Sequence, residues 1–598
     1  MPTSLHLFTL PSELLENVFL SCVLQRSPLS IAALAQTCRT LRVLIYDTAD
    51  SHLWRSLCLV YFDDPRLHPG CSTVHWRHMF TERVWAERYL DRHARPLEVT
   101  VPKHNLRSTR SMMLSLDKLG PQAEPHVHIR LLTALLDAVQ TIAPAPGIRV
   151  TSSPSSTPLF DSPLALRHAD TPILPPSCHI PPNIESRNVA WLQGVLTHGL
   201  PISLTRIIAW EDLAPSWKNH AEGPLLCELI ARLGFLPIPL NQVSAAPEHR
   251  SPPSSPTARS KPQGMIDLSE EMQRRVAHEG GRPLAFSMRF LSRQRAWGPF
   301  LRVDMLAKAA APTDDAEEEM EGDDEDDEDA DYVPPDDPSD SDATPGTATH
   351  PVAATPGAPS STNTLPDPGK LFPDWTWIAA SRVVAEWKLF ENIKPADLPQ
   401  LYDWNNLRAG AWIAPRPPSG EGNTVEYPAG EEWKAHQWDW AGVEGVWRRL
   451  VCWLDYDELI YNNRWGSFVD ENLDEAWIIV PMSVRITGYE PPSLPKEYPN
   501  RPTILFEGEM GGGVGWVGTV SPLTDYFRRV RGRVSMLPDG RVWYSSVSSA
   551  LGRTADERVS EVIQLGPVGS AMGALGLWTD AQHEVEDPLG VVWQWRVA

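Results

Sequence analysis

Leu10-Pro11-Ser12-Glu13-Leu14-Leu15-Glu16-Asn17-Val18-Phe19 opens a short, very apolar helical unit, and the division of the rest of the chain follows from it. Proline is tolerated in a first helical turn, so a helix is expected to start near Pro11. From there Leu14, Leu15, Val18, Phe19, Cys22 and Val23 recur at helical spacing and form a wide apolar stripe. Ser27-Pro28 has the form of an N-cap followed by a first-turn proline, after which Leu34, Cys38, Leu41 and Ile45 keep the spacing. Asp50-Ser51 offers a further cap ahead of Leu53, Trp54 and Leu57. The pattern predicts three short helices. A unit of about fifty residues buries too little of its surface to be secure alone, so it needs a partner or the following domain.

Outward from that unit the chain alternates between helical stretches and interruptions. Trp76, Met79, Phe80 and Val84 share one helix face, and Leu131, Leu132, Leu135, Leu136 and Val139 share another between Pro125 and Pro144. A further helix is expected around Leu225, Leu226, Leu229, Ile230 and Leu233, ended by Gly234. Three polar, Pro-rich stretches separate these segments: one containing Thr151 to Pro158, one from about Ser244 to Pro262, and one from about Ala309 to Pro368. The net charge of −23 is mostly local, because 18 acidic residues and no Lys or Arg lie between Asp314 and Asp342. The rest of the chain stands near −5 and offers no strongly basic surface for nucleic acid. The acidic run itself reads as a solvated linker, or as a docking tail for a basic partner. Seven cysteines without a Cys-x-x-Cys pair suit reduced thiols and a cytosolic or nuclear location. No secretory signal and no long apolar run is visible, so no membrane association is expected.

From Leu371 the composition changes, with 17 of the 24 tryptophans in the last 228 residues. After a helix carrying Trp375, Ile378, Ala379, Arg382, Val383 and Glu386 the period moves toward two. Met482, Val484, Ile486 and Gly488 alternate with Ser483, Arg485, Thr487 and Tyr489; Val530, Gly532, Val534 and Met536 alternate with Arg529, Arg531, Arg533 and Ser535. Leu537-Pro538-Asp539-Gly540 is a turn, Val542 and Tyr544 continue a hairpin, and Val591, Trp593, Trp595 and Val597 face one way. These strands predict an antiparallel β-barrel or sandwich.

Motifs for catalysis fail their context. Gly513-Val514-Gly515-Trp516-Val517-Gly518-Thr519-Val520 has the letters of a kinase glycine loop, but no Asp-Phe-Gly or His-Arg-Asp follows. Ser521-Pro522 stands where a dinucleotide-binding helix would continue, so a glycine-rich strand or bulge is expected. Cys71, His75 and His78 lack a second ligand pair at zinc spacing, and His583, Glu584, Glu586 and Asp587 read as a loop beside the last strand. No metal, cofactor or catalytic residue is expected. Thr157-Pro158, Ser251-Pro252, Ser255-Pro256 and Thr344-Pro345 are candidate phosphorylation sites.

The N-terminal run resembles an F-box. Its pattern of Leu-Pro-x-Glu and two aliphatics is met by Leu10 to Leu15, its aliphatic-Phe pair by Val18-Phe19, its Cys-Arg segment by Leu34 to Arg42, and its Leu-Trp-Arg by Leu53-Trp54-Arg55. Trp438 to Val443, Arg448 to Tyr456 and Gly576 to Thr579 resemble fungal F-box proteins with a shared C-terminal domain, which is loosely similar to the lipocalin-like β-barrel of some F-box-only proteins. The resemblance implies a non-catalytic substrate receptor of a Skp–cullin–F-box ubiquitin ligase. It would dock on a Skp-type adaptor, and through it a cullin–RING ligase, and recruit a protein substrate. Leu10, Pro11, Leu14, Leu15, Val18 and Phe19 map onto the docking patch, and Leu34, Cys38, Leu41 and Trp54 onto the F-box core. The alternatives are a barrel whose tryptophans line an apolar ligand pocket and an F-box scaffold acting outside ubiquitination.

The expected fold is thus α+β and multidomain. Residues 5–60 form the F-box and 61–145 a helical region. A Pro/Ser-rich loop spans 146–185, a helical segment 186–243 and a disordered linker 244–263. Residues 264–308 pack with the C-terminal domain, 309–368 are an acidic disordered linker, and 371–598 are the Trp-rich, barrel-like recruiting domain.

Overall fold

The structure, a computed structural model, describes residues 10–25, 27–47, 51–67, 73–94, 100–101, 125–145, 185–204, 210, 222–237, 244–245, 270–291, 298–302, 367–393, 403–412, 438–468, 470, 473–511, 527–550, 553, 555–582, 584 and 586–597. The acidic run, the Ser/Thr-Pro pairs, Cys71, His583 and the glycine loop from Gly513 to Val520 lie outside the described residues.

The N-terminal unit has four helices rather than three: α1 Ser12–Leu24, α2 Leu29–Thr37, α3 Arg39–Tyr46 and α4 His52–Tyr61. The extra break falls at Cys38, whose backbone is extended and whose Sγ accepts from the Leu41 N–H. A side-chain cap inside an otherwise unbroken apolar period is what the periodicity alone misses. The helical layer continues with α5 Trp76–His93, α6 Pro125–Gln140, α7 Arg187–Val195, α8 Glu222–Leu233, α9 Glu270–Ala285 and α10 Trp375–Asn392. Gly234 ends α8 at φ 85°, and a Cβ there would lie 2.2 Å from the Glu386 carboxylate. That carboxylate accepts from the Phe235 N–H and from Arg382 Nε, tying α8 to α10.

Two short pairings, β1 Thr100–Val101 with β2 Ser244–Ala245 and β3 Phe300–Arg302 with β4 Leu371–Pro373, precede the main sheet. The latter sets Arg302 opposite Leu371 in an antiparallel register.

Eight antiparallel strands then close into an up-and-down barrel: β5 Gly445–Trp453, β6 Ala476–Glu490, β7 Thr503–Met510, β8 Arg528–Met536, β9 Val542–Ala550, β10 Arg558–Gln564, β11 Ala574–Asp580 and β12 Leu589–Arg596. Closure of β12 onto β5 leaves no sheet edge. The expected hairpin is present, with Gly540 at φ 83° and Met536 opposite Val542. A helix, α11 Tyr456–Trp465, is inserted between β5 and β6.

Two apolar layers result from strand alternation. Trp447, Val484, Phe506, Val530, Tyr544, Val562, Ala574 and Val592, one from each strand, form the barrel interior. Trp447 meets Tyr544 edge-on at 6.1 Å, a contact between opposite strands that crosses the lumen. The alternate residues, Trp543, Ile563, Leu575, Leu577, Trp593 and Trp595, face outward and join the core of the helical layer. There α10 is buried all round, as a helix between two layers must be, and the Arg382 guanidinium lies 3.9 Å from the centre of the Trp593 ring. His278 and Arg282 of α9 bond Glu475 just before β6.

Candidate functional site

The six residues of the expected docking patch divide between two faces of α1. Leu15, Phe19 and Val23 are buried at four-residue spacing against the other helices. Leu14 and Val18, one position earlier, are 48% and 41% exposed; Pro11 is exposed and Leu10 half-buried. Adjacent residues on a helix point about 100° apart. A doublet such as Leu14-Leu15 or Val18-Phe19 therefore cannot have both members in one place. Leu15 and Phe19 are corrected to core, Pro11, Leu14 and Val18 remain as surface, and Leu10 is half-buried and packs against the core.

The expected F-box core residues cluster as a support for that surface. Leu41 and Trp54 are buried, while Leu34 and Cys38 are half-buried and pack against the same core. Trp54 donates its indole N–H to the Ile45 carbonyl at 2.8 Å and stacks on Tyr46 at 5.7 Å. Nine large apolar or aromatic side chains are exposed among the described residues; five of them, Leu14, Val18, Leu24, Leu29 and Val43, lie on α1 to α3.

A latch that the sequence patterns do not signal fixes this unit to helices α5 to α7. Asp63, just after α4, accepts from the Ser186 hydroxyl and from the N–H groups of Ala143 and Arg187. Its own N–H donates to Asn188, which also receives the fully buried Arg83. Arg83 in turn bonds Asp137 at 2.7 Å and Thr141 at 2.6 Å. These partners are 54 to 125 residues apart in sequence, and no local pattern pairs them.

In the barrel, Trp440 lies at the end of the lumen where β5 begins. It is fully buried, belongs to the interior cluster and donates to the Pro502 carbonyl at 2.8 Å. Toward the other end, where β5, β7, β9 and β11 finish, polar side chains enter the lumen: Arg449, Arg528, Arg558 and Ser560, beside Trp578 and the apolar Val451 and Met510. The reading of an apolar pocket lined by tryptophans is therefore altered, because Trp543, Trp593 and Trp595 face the helices.

The remaining candidates are quiet. Among the described residues no group of His, Cys, Asp and Glu could hold a metal, and no helix is long and apolar enough to cross a membrane. Glu584 and Asp587 bond each other in the β11–β12 turn, and the Glu586 carbonyl accepts from the Tyr456 hydroxyl. Burial pushes the Cys58 and Cys227 thiols up to about 12, which keeps them protonated. No family model, curated protein or solved structure matches this chain.

Proposed function

We propose that the protein is the substrate-recognition subunit of a Skp–cullin–F-box ubiquitin ligase, with α1 docking on a Skp-type adaptor and the C-terminal barrel recruiting the target protein. The observation that carries this reading is the concentration of exposed apolar side chains on the first three helices. Leu14 and Val18 form one stripe with Pro11 and Leu10 beside it, on a unit whose opposite face is already packed. Apolar surface grouped this way costs solubility and is retained where a partner covers it. Burying a Leu or Val side chain contributes roughly 1.5–3 kcal/mol, so a few such residues suffice for a specific contact. The F-box resemblance assigns the same residues to adaptor docking. The barrel is latched behind this unit through α5 to α10, which suits a rigid carrier between a docking end and a recruiting end.

In this reading the chain has no catalysis of its own. The test is co-purification of the full-length chain with a Skp-type adaptor and a cullin. Leu10→Ala combined with Pro11→Ala should lose both. Undiminished capture of the adaptor would remove the docking assignment, and capture of the adaptor without a cullin would favour a scaffold outside ubiquitination.

A further inference from the structure

Arg449 sits in the middle of β5, where Trp447 and Val451 on either side belong to the barrel interior. By alternation its side chain enters the lumen. The bond that its Nη2 donates to the Ser560 hydroxyl confirms the direction, because β5 and β10 are separated by two intervening strands and do not pair. The residue is 4% exposed, and its Nε is buried without a hydrogen-bond partner. No carboxylate among the described residues acts on it; the one charge that does is Arg528, which repels it. Burial, with that repulsion, brings its pKa down to about 10, so the guanidinium is charged at neutral pH.

A buried cation without a counter-charge is an expensive feature, since desolvation is offset only by an opposite charge and full hydrogen bonding. The described residues around it do not supply one. Arg528 is occupied by Glu557 at 3.1 Å and Arg558 by Asp580. They do supply further donors. Trp578 stands directly opposite Ser560 on β11, with its indole N–H buried and unpartnered, and the Arg558 guanidinium lies 5.1 Å from its ring centre. Gly590 faces Trp578 on β12, and a Cβ there would lie 2.4 Å from that indole nitrogen, so the glycine makes room for the ring.

We infer that this end of the lumen is an oxyanion site, in which Arg449, Ser560 and the Trp578 indole N–H receive a carboxylate or phosphate group of a ligand entering past Arg528 and Arg558. The planar guanidinium fork suits both groups, and the indole adds a donor that only an acceptor can satisfy. The site does not depend on the adaptor proposal. If the barrel recruits targets, as that proposal holds, the group it reads is acidic.

The test uses the full-length protein and thermal unfolding, titrated with sodium phosphate or sodium acetate at ionic strength held constant with sodium chloride. A ligand that binds only the folded state raises the midpoint saturably. We expect such a rise with at least one of the two oxyanions and none with chloride, and the anion that saturates first identifies the group. Arg449→Met should weaken the response at least tenfold, and Trp578→Phe severalfold. Arg531→Gln, at an exposed position on the outer face of β8, should leave it unchanged. Absence of a saturable rise in the unaltered protein would overturn the inference whether or not the variants fold. An equal response in Arg449→Met or Trp578→Phe would also overturn it. Adaptor capture, read with Leu10→Ala and Pro11→Ala, fails or succeeds separately.

Discussion

Glu475 is a fully buried carboxylate held by His278 at 2.9 Å, Arg282 at 2.5 Å and Lys388 at 3.2 Å. Burial by itself would raise its pKa, but the bond to His278 and the charges of Arg282 and Lys388 hold it far below the ordinary 4.5. A depressed carboxyl contributes stability above its unfolded pKa and loses it as pH falls toward the folded value, so this network steepens acid unfolding below about pH 4.5. Glu475→Gln, which strands the partners, should cost about 3–5 kcal/mol at pH 7 in urea unfolding. Glu561 behaves in the opposite sense. Burial pushes it up to about 8, against bonds from Ser545 and Trp543 and the Arg533 charge. The folded state then keeps a proton that the unfolded state has lost, and stability falls between about pH 4.5 and 8. Glu561→Gln should flatten that fall, as read from urea midpoints at pH 5 and pH 8.

Among the elements, α1 separates a buried face from an exposed apolar one most cleanly. Phe19 is 1% exposed, and Phe19→Ala should cost about 3–5 kcal/mol. Leu14→Asp with Val18→Asp changes only surface and should move the unfolding free energy by about 0.5 kcal/mol or less per site. Chemical denaturation of the two variants checks both figures. The two faces were not separable in the sequence, because apolar residues at 14, 15, 18 and 19 satisfy helical period on either stripe. The hairpin at Leu537 to Gly540 was legible because turn chemistry and strand alternation agree there. Barrel closure was not, since it depends on β12 meeting β5 over a separation no local pattern encodes. Arg449 was hidden for a related reason: its neighbour Arg448 looks alike in sequence, and only alternation within a closed sheet tells lumen from outer face.

Over the whole molecule, one apolar core runs from Leu15 in α1 through α5 to α10 and ends on the outward tryptophans of the barrel. The helices and the barrel wall therefore share α10 as a common floor. Thermal unfolding followed by far-ultraviolet dichroism, which reports helix, and near-ultraviolet dichroism, which reports the packed tryptophans, should show coincident midpoints. Separate midpoints would show that the barrel is an independent module behind the helical layer. This continuity also gives the docking proposal its mechanical sense, because a face on α1 is held at a fixed distance from the lumen by packed side chains and the Asp63 latch.

The most direct measurement is an equilibrium titration of a purified Skp-type adaptor against the full-length chain and its Leu14→Asp, Val18→Asp variant, with both proteins shown to be folded. Docking through α1 predicts saturable binding to the unaltered chain and a loss of at least a hundredfold in the variant, with equal unfolding midpoints. Equal affinity for the two, or no binding to the unaltered chain, would contradict it.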